Sequence, residues 1–199
     1  MLAEKGAAMR VLVVDESPER AEILREGLRL AGYEVTASLT SPIALLKTID
    51  ELAPDVIVID TESPSRDVLE HLVVMSQHTP RPVVMFASDA EPAKIRAAVK
   101  AGVSAYVVDG LDATRVKSII DVAVARFEDF QALRTELAEA NTRLSERKLV
   151  ERAKGLLMKT RGLDEEAAYA ALRKLAMDRK LKLVEVAQKI VDAADLLGA

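Results

Sequence analysis

Three carboxylates stand where two short apolar runs end. Asp15 and Glu16 follow the run Val11–Val14, and Asp60 follows the run Val56–Ile59. If both runs are parallel strands of one sheet, their carboxyl ends lie at the same edge, so the three acids converge on one crevice. Hard oxygen ligands of this kind suit Mg²⁺. The alternative, three unrelated acidic loop residues, is weakened because two separate strands place their acids at the same level.

A second group of residues suited to binding lies near the C-terminus. Its members are Lys148, Arg152, Lys154, Lys159, Tyr169, Arg173, Met177 and Arg179. Helical spacing places basic residues along one helix, and a ring, a guanidinium and a thioether on the outer face of the next. Basic side chains neutralise phosphates, and an aromatic ring stacks on unpaired bases. The alternative is that Tyr169 is a half-buried packing residue and the basic residues are solvated surface.

The predicted crevice depends on a sheet that the apolar runs indicate. Five candidate strands lie between residues 10 and 125: Val11–Val14, Glu34–Ala37, Val56–Ile59, Val83–Phe86 and Ala105–Val108. Four of them are continuous apolar runs, as in strands covered on both faces, and helical segments separate them. This order predicts an α/β fold with a doubly wound, five-stranded parallel sheet and right-handed crossovers.

The stretch from Glu146 onward predicts a small all-α unit. Its apolar residues form three helical sets that can share one core. The sets are Leu149, Ala153, Leu156 and Leu157; Ala168, Ala171, Leu172 and Leu175; and Leu183, Val186, Ala187 and Ile190. Gly162 is predicted to end the first helix in the left-handed conformation, and Asp164 to cap the second. The loop between these helices is therefore about three residues long.

One long helix is predicted between these two parts. No Pro or Gly lies between Gly110 and Gly155, and the helix is expected to begin near Asp112. An apolar seam steps along it by three and four residues: Phe130, Leu133, Leu137, Ala140 and Leu144. This pattern is typical of a coiled coil and predicts a stiff connector that pairs with a second copy. The alternative is a single amphipathic helix packed on its own chain.

Composition argues against several other classes of protein. The 199 residues include no cysteine, and His71 and His78 have no second ligand at metal-binding spacing. No apolar run approaches a membrane span and no signal-type segment opens the chain, so a cytoplasmic protein is expected. No Gly-rich phosphate loop or nucleophile elbow is present, which leaves an enzyme of the doubly wound class poorly supported.

Charge is unevenly distributed along the chain. The formal net charge is −4, whereas residues 146–199 hold 12 Lys or Arg and 9 Asp or Glu. The C-terminal end is therefore mildly basic and the preceding part acidic. The basic end is the one suited to meet phosphate, although an excess of three is small for a nucleic-acid-binding domain.

The first 125 or so residues resemble a response-regulator receiver domain, which has a flavodoxin-like fold. The resemblance implies that Asp60 is the phospho-acceptor and that Asp15, Glu16 and Asp60 bind Mg²⁺. Tyr106 matches the aromatic switch position of the family. The resemblance also implies a controlling partner, either a sensor protein or a histidine kinase.

Two residues depart from the receiver pattern. Ala87 stands where the family carries Thr or Ser, with Ser88 one position later, and Asp109 stands where the family carries Lys. That Lys normally supplies positive charge to the phosphoryl oxygens, whereas Asp109 adds a negative charge near an anionic site. The exchange argues against ordinary phosphorylation switching, although Asp60 itself is intact.

The C-terminal stretch resembles the ANTAR domain, the RNA-binding module of AmiR/NasT-type antitermination regulators. The matching residues are Ala153, Lys154, Gly155, Leu157, Met158, Ala168, Tyr169, Leu172, Arg173, Ala176, Met177, Val186 and Ala187. The resemblance implies binding to paired hairpins in nascent mRNA, whose formation competes with a terminator stem. It implies regulation and not enzymology.

The expected organisation is therefore a tail (1–9), a receiver-like domain (10–125), a coiled-coil connector (126–145) and an ANTAR domain (146–199). The expected function is an antitermination regulator that binds a hairpin-containing mRNA leader as a homodimer. The alternative is a phosphorylation-gated response regulator whose helical C-terminal domain binds protein or DNA.

Overall fold

A five-stranded parallel sheet organises the N-terminal part of the protein. The computed structural model describes residues 8–41, 44–108 and 114–197. The strands are β1 (Arg10–Asp15), β2 (Glu34–Leu39), β3 (Val56–Thr61), β4 (Val83–Ala87) and β5 (Ala105–Val108), in the sheet order β2-β1-β3-β4-β5. All neighbouring pairs run parallel, which confirms the predicted doubly wound, flavodoxin-like sheet.

Helices cover both faces of this sheet. They are α1 (Pro18–Leu30), α2 (Leu45–Leu52), α3 (Arg66–His78) and α4 (Pro92–Lys100), followed by α5 (Val116–Arg161). Alternate residues of each central strand face opposite sides, so Leu12 and Val13 belong to different cores. Leu72 of α3 packs in the first core and Leu24 of α1 in the second. The strands β1, β3 and β4 are almost wholly buried, whereas the edge strands β2 and β5 are largely half-buried.

Helix α5 runs without a break for 46 residues. This confirms the predicted long helix, which passes through Gly155 as well. The helix begins at Val116, later than the predicted start at Asp112, and Asp112 lies outside the described residues.

The C-terminal unit is a three-helix arrangement, as predicted. After α5, Gly162 adopts a φ of +66°, and Asp164 accepts a hydrogen bond from the Ala167 backbone N–H at 2.7 Å. The remaining helices are α6 (Glu165–Arg179) and α7 (Leu183–Leu197). The three predicted apolar sets all belong to one core, which also contains Ala176 and Val191.

Contacts divide the chain into two compact units, Met1–Gln131 and Ala132–Ala199. The division falls inside α5 and inside the predicted connector. The exact limits of the predicted domains, at 125/126 and 145/146, stay predictions.

Candidate functional site

Asp15 and Asp60 lie side by side at the carboxyl edge of the sheet. They are register partners in the β1–β3 pair. The Asp15 side chain is fully buried and Asp60 is half-buried. Burial, and next the neighbouring Asp15 carboxylate, raise the pKa of Asp60 above its usual value. The structure thus brings together two of the three predicted acids at one position.

A guanidinium already lies against this acid pair. Arg20 Nη2 is 3.3 Å from Asp15 Oδ1, and Arg20 Nη1 is 3.5 Å from Glu62 Oε1. The Ser17 backbone N–H donates to the same Asp15 oxygen at 2.7 Å. The positive charge of Arg20 opposes the rise in the pKa of Asp60. Sequence reasoning missed Arg20, although its place in the first turn of α1, directly after β1, was the available signal.

The oxygen donors fit Mg²⁺ in part. Asp15 Oδ2 is buried and has no hydrogen-bond partner among the described residues, and Asp60 supplies a second carboxylate beside it. Glu16, the third predicted ligand, has an exposed side chain. Within the described ranges, no three acidic, histidine or cysteine side chains are grouped to hold a metal ion. Because Mg²⁺ keeps several water ligands, Asp15 and Asp60 are the residues that would hold it.

The two departures from the receiver pattern have different outcomes. Ala87 ends β4, is buried, and is the register partner of Thr61, so no hydroxyl is supplied at that position. Ser88, the next residue, is exposed. Asp109 lies outside the described residues, so its effect on the crevice stays a prediction.

A polar cluster holds the loop that follows β4. Lys94 Nζ donates to Asp89 Oδ2 and to Ser63 Oγ, each at 2.7 Å, and Ser63 Oγ donates to Asp89 Oδ2 at 2.9 Å. The hydroxyl of Tyr106 donates to the Asp89 carbonyl at 2.7 Å. The bond from Lys94 is the largest of the effects that lower the pKa of Asp89 to about 2. The predicted aromatic switch residue is thereby bonded to the β4–α4 loop, and this cluster was not predicted from the sequence.

Most of the predicted nucleic-acid contacts are exposed on the C-terminal unit. Side chains that are exposed to solvent are Lys148, Arg152, Lys159, Tyr169, Arg173, Met177 and Arg179. Tyr169 is 44% exposed and Met177 is 70% exposed. Tyr169 therefore lies outside the core but is still more than half covered, so its binding role and the half-buried packing alternative both stay open. Arg152 is also paired with Asp195 at 2.6 Å, a bond that joins α5 to α7.

Lys154 is buried, so its predicted role as an exposed RNA contact is wrong. It is only 7% exposed, and its Nζ lies 2.8 Å from Glu151 Oε2 and 2.7 Å from Glu165 Oε1. Hydrogen bonds to these two carboxylates raise the pKa of Lys154. Because Ala153 and Leu157 of the same turn enter the core, Lys154 is drawn against the start of α6. It ties α5 to α6 and does not present a free ammonium for phosphate.

A cleft beside Tyr169 collects basic residues that sequence reasoning missed. It has a volume of about 570 Å³. Its lining comprises Arg143, Glu146, Arg147, Val150, Glu151, Tyr169, Lys182, Leu183 and Val184. Three cations, two carboxylates and one aromatic ring thus line the same space, with a net charge of +1. The cations and the ring suit a phosphate and its base. Arg143 and Arg147 were available as an i, i+4 pair, but only the fold brings Lys182 and Tyr169 next to them.

The predicted seam on α5 is exposed along its length. Phe130, Leu133, Leu137 and Leu144 are 52–63% exposed, and Ala140 is exposed as well. The seam therefore remains on the surface of the single chain. This exposure disfavours the alternative in which the helix packs its apolar face on its own chain.

Comparison with known proteins agrees with these features. Residues 11–121 match the response regulator receiver domain and residues 138–191 match the ANTAR domain. The transcriptional regulatory protein PdtaR of Mycobacterium tuberculosis is 30% identical over 190 residues, which cover 96% of this chain and 93% of that protein. The nitrate regulatory protein of Klebsiella oxytoca is 39% identical over 75 residues, 38% of this chain and 19% of that protein.

Solved structures match the first unit. The receiver domain of the response regulator NarL from Mycobacterium tuberculosis is 26% identical, with a TM-score of 0.52 over 58% of this chain and 96% of that structure. In the described part of the chain, no helix is long and apolar enough to cross a membrane. The chain contains a receiver domain and an ANTAR domain, and PdtaR aligns with nearly the whole of it. The chain therefore belongs to the AmiR/NasT-type ANTAR response regulators.

Proposed function

We propose that the protein is a transcription antitermination regulator that binds paired hairpins in nascent mRNA through its C-terminal unit. The observation that carries the proposal is the cleft lined by Tyr169 together with Arg143, Arg147 and Lys182, within the ANTAR match. The ring would stack on an unpaired loop base while the cations neutralise flanking phosphates. Bound hairpins would persist, and the competing terminator stem would form less often. This activity places the protein in the cytoplasm and requires no catalysis.

A homodimer is the form that suits paired hairpins. The exposed seam from Phe130 to Leu144 would pair with the same seam of a second copy, as a and d positions do in a coiled coil. Each copy would then hold one hairpin. Binding of the first hairpin raises the effective concentration of the second, so the pair is bound more tightly than either hairpin alone.

The receiver unit would control this activity by protein contact more than by phosphate. Asp15 and Asp60 are register partners and would hold Mg²⁺, but Ala87 supplies no hydroxyl and Arg20 already bonds to Asp15. A sensor protein that sequesters the regulator therefore fits better than a kinase that phosphorylates it.

A second candidate keeps phosphorylation as the trigger. It is favoured by the paired carboxylates at the sheet edge, and it assigns protein or DNA binding to the helical unit. Incubation with a small phosphodonor and Mg²⁺ separates the two candidates. We expect little stable phosphorylation of Asp60, whereas stoichiometric phosphorylation that strengthens RNA binding supports the second candidate.

Selection from a library of two-hairpin RNAs with randomised loops tests the proposed function. The full chain should enrich defined loop sequences and bind the best RNA in preference to a DNA duplex of the same sequence. Exposed cations on the RNA surface should each contribute to salt dependence, so Lys148→Ala and Lys159→Ala should each reduce the salt slope by about 0.7 to 0.9. No enrichment, or equal affinity for the DNA duplex, contradicts the proposal.

A further inference from the structure

Gly155 lies in the interior of α5 without a local structural reason. The residue is exposed, and a Cβ added to it would meet no atom within 4 Å. Its φ is not in the left-handed range, unlike that of Gly162 at the end of the helix. Glycine in a helix interior is less stable than alanine because it loses more backbone freedom on folding. The chain therefore carries a helix-weakening residue where an added Cβ would meet no other atom.

The face that contains Gly155 is basic. Lys148 lies seven residues before Gly155, Arg152 three residues before it and Lys159 four residues after it. This spacing places these residues and Gly155 on one side of the helix. All of them are exposed, and Arg152 is paired with Asp195. Lys148 and Lys159 are therefore the cations that this strip presents on either side of a point with no side chain. We call these four residues the glycine strip.

The glycine strip continues the line of the apolar seam but differs from it in charge. Leu137 and Leu144 lie on the same side of α5 and are exposed apolar residues. A parallel pair of identical helices related by a two-fold axis brings each residue of such a face close to its own copy. Lys148, Arg152 and Lys159 would then meet like charges, which destabilises pairing there. Charge therefore favours a second copy as far as Leu144 and a polyanion beyond it.

The strip also adjoins the cleft beside Tyr169. Glu151 lines that cleft and lies one helical turn before Gly155. A nucleic-acid strand whose backbone follows the strip can thus place a base in the cleft. Close approach of a ligand backbone is one of the situations in which only glycine leaves enough room.

Building on the proposed RNA binding, we propose that the RNA sugar-phosphate backbone reaches its closest approach to α5 at Gly155. The flanking Lys148 and Lys159 contact phosphates, and the absence of a side chain allows the backbone to lie against the helix. One exposed side of α5 therefore contacts two different partners along its length. The second copy contacts the seam, and RNA contacts the glycine strip.

Substitutions that add volume at Gly155 test this proposal. Gly155→Ala and Gly155→Leu in the full chain are compared with Ala138→Leu, which adds volume at an exposed α5 position away from this face. The probe is the two-hairpin RNA selected by the unsubstituted protein, measured by fluorescence anisotropy beside a scrambled-loop RNA on the same stems. Thermal unfolding and sedimentation are measured on every variant.

We expect opposite effects on stability and on binding. Gly155→Ala should raise the unfolding temperature yet weaken RNA binding. Gly155→Leu should weaken RNA binding at least tenfold without a change in self-association. Ala138→Leu should bind RNA as tightly as the unsubstituted protein. The loss should be equal for selected and scrambled loops, because backbone contacts carry no sequence information.

Three results overturn the proposal. If both Gly155 variants bind RNA with unchanged affinity, the RNA backbone does not approach Gly155 closely. If they lose self-association and keep RNA binding, the glycine strip contacts the second copy. A loss confined to the selected loop means that bases, and not the backbone, approach Gly155. If the unsubstituted chain binds no hairpin RNA, both the proposed function and this inference are wrong. If the unsubstituted chain and the variants bind equally well, only this inference is wrong. Gly155→Ala decides the matter if the larger variant does not fold.

Discussion

At the scale of single residues, Tyr169 and Lys154 have opposite surroundings. Tyr169 stands at an open cleft, whereas Lys154 is enclosed between Glu151 and Glu165. Both residues match the ANTAR pattern, but only the ring is placed to meet a ligand. The proposed RNA-reading surface and the contact that holds two helices together can therefore be tested separately by mutation.

Tyr169→Ala should cost about 1 to 3 kcal/mol in affinity for the selected RNA, because it removes a stacking surface, and much less for a scrambled loop. Its unfolding temperature should stay close to that of the unsubstituted protein. Lys154→Ala should behave in the reverse way and lower the unfolding temperature, because Glu165 loses its counter-charge. Anisotropy and thermal unfolding on both variants check this, and a folded Tyr169→Ala protein with unchanged discrimination places the reading surface elsewhere.

Arg20 should compete with a metal ion for the acid pair. Its guanidinium lies 3.3 Å from Asp15, so removal of the positive charge leaves Asp15 and Asp60 less neutralised. Arg20→Gln should bind Mg²⁺ about tenfold more tightly, which corresponds to about 1.4 kcal/mol. Titration calorimetry measures this, with Arg25→Gln, whose partner is Glu22 on the same helix, as the control. Equal Mg²⁺ affinity in all three proteins would show that Arg20 does not act as a counter-ion.

Sequence reasoning found the residues whose place follows from topology. Asp15 is the last residue of β1 and Asp60 the second-last of β3, so their proximity follows from the pairing of two parallel strands. Arg20 and Lys154 were missed or misassigned because the direction of a long side chain depends on what surrounds its own helical turn. Ser63, Asp89 and Lys94 come together from separate loops and a helix, and no periodicity marks such a cluster.

At the scale of elements, apolar runs and capping residues predicted where the strands lie and where two helices end and begin. Each of the five strands contains its predicted run and extends it by at most two residues at either end. Gly162 and Asp164 lie at the predicted end and start of helices. Periodicity did not predict which strands lie at the sheet edges, because that depends on the order of strands in the sheet. The seam on α5 is exposed, and its pairing with a second copy stays a prediction.

The seam gives a prediction about assembly. Leu137→Lys combined with Leu144→Lys should weaken self-association, because ammonium groups in the core of a coiled coil lose hydration and repel their copies. The three-helix core contains neither residue, so the folded content of the C-terminal unit should persist. Light scattering with circular dichroism measures both quantities. A monomeric unsubstituted protein, free and RNA-bound, would contradict the pairing.

The cluster after β4 predicts a dependence on pH. Asp89 has a pKa lowered to about 2, chiefly by the bond from Lys94, so its ionised form stabilises the fold. This contribution is fully present above the unfolded-state pKa of about 3.9 and is lost as the pH falls toward 2. Asp89→Asn should therefore unfold at a lower temperature than the unsubstituted protein at pH 7. That difference should shrink between about pH 4 and pH 2.

Thermal unfolding at several pH values checks this behaviour. Asp50→Asn, at an exposed position of α2, is the control and should differ little from the unsubstituted protein at any pH. A difference for Asp89→Asn that stays constant down to pH 2 would mean that its carboxylate charge does not stabilise the loop.

At the scale of the whole molecule, the two units have contrasting chemistry. The receiver unit keeps the acid pair of its family yet lacks a hydroxyl at Ala87, the last residue of β4. The C-terminal unit presents cations and a ring on an exposed surface. The sequence resemblance to ANTAR regulators was sufficient to predict this division. The cleft beside Tyr169 required the fold, because its basic residues come from α5 and from the segment that precedes α7.

Single-round transcription in vitro tests the central claim most directly. The template carries the selected two-hairpin sequence so that it overlaps the stem of an intrinsic terminator, and the fraction of full-length transcript is measured. The unsubstituted protein and Asp60→Asn should both raise read-through, whereas Tyr169→Ala should not. Read-through that stays at its protein-free level, although the chain binds the hairpins, would contradict antitermination as the function.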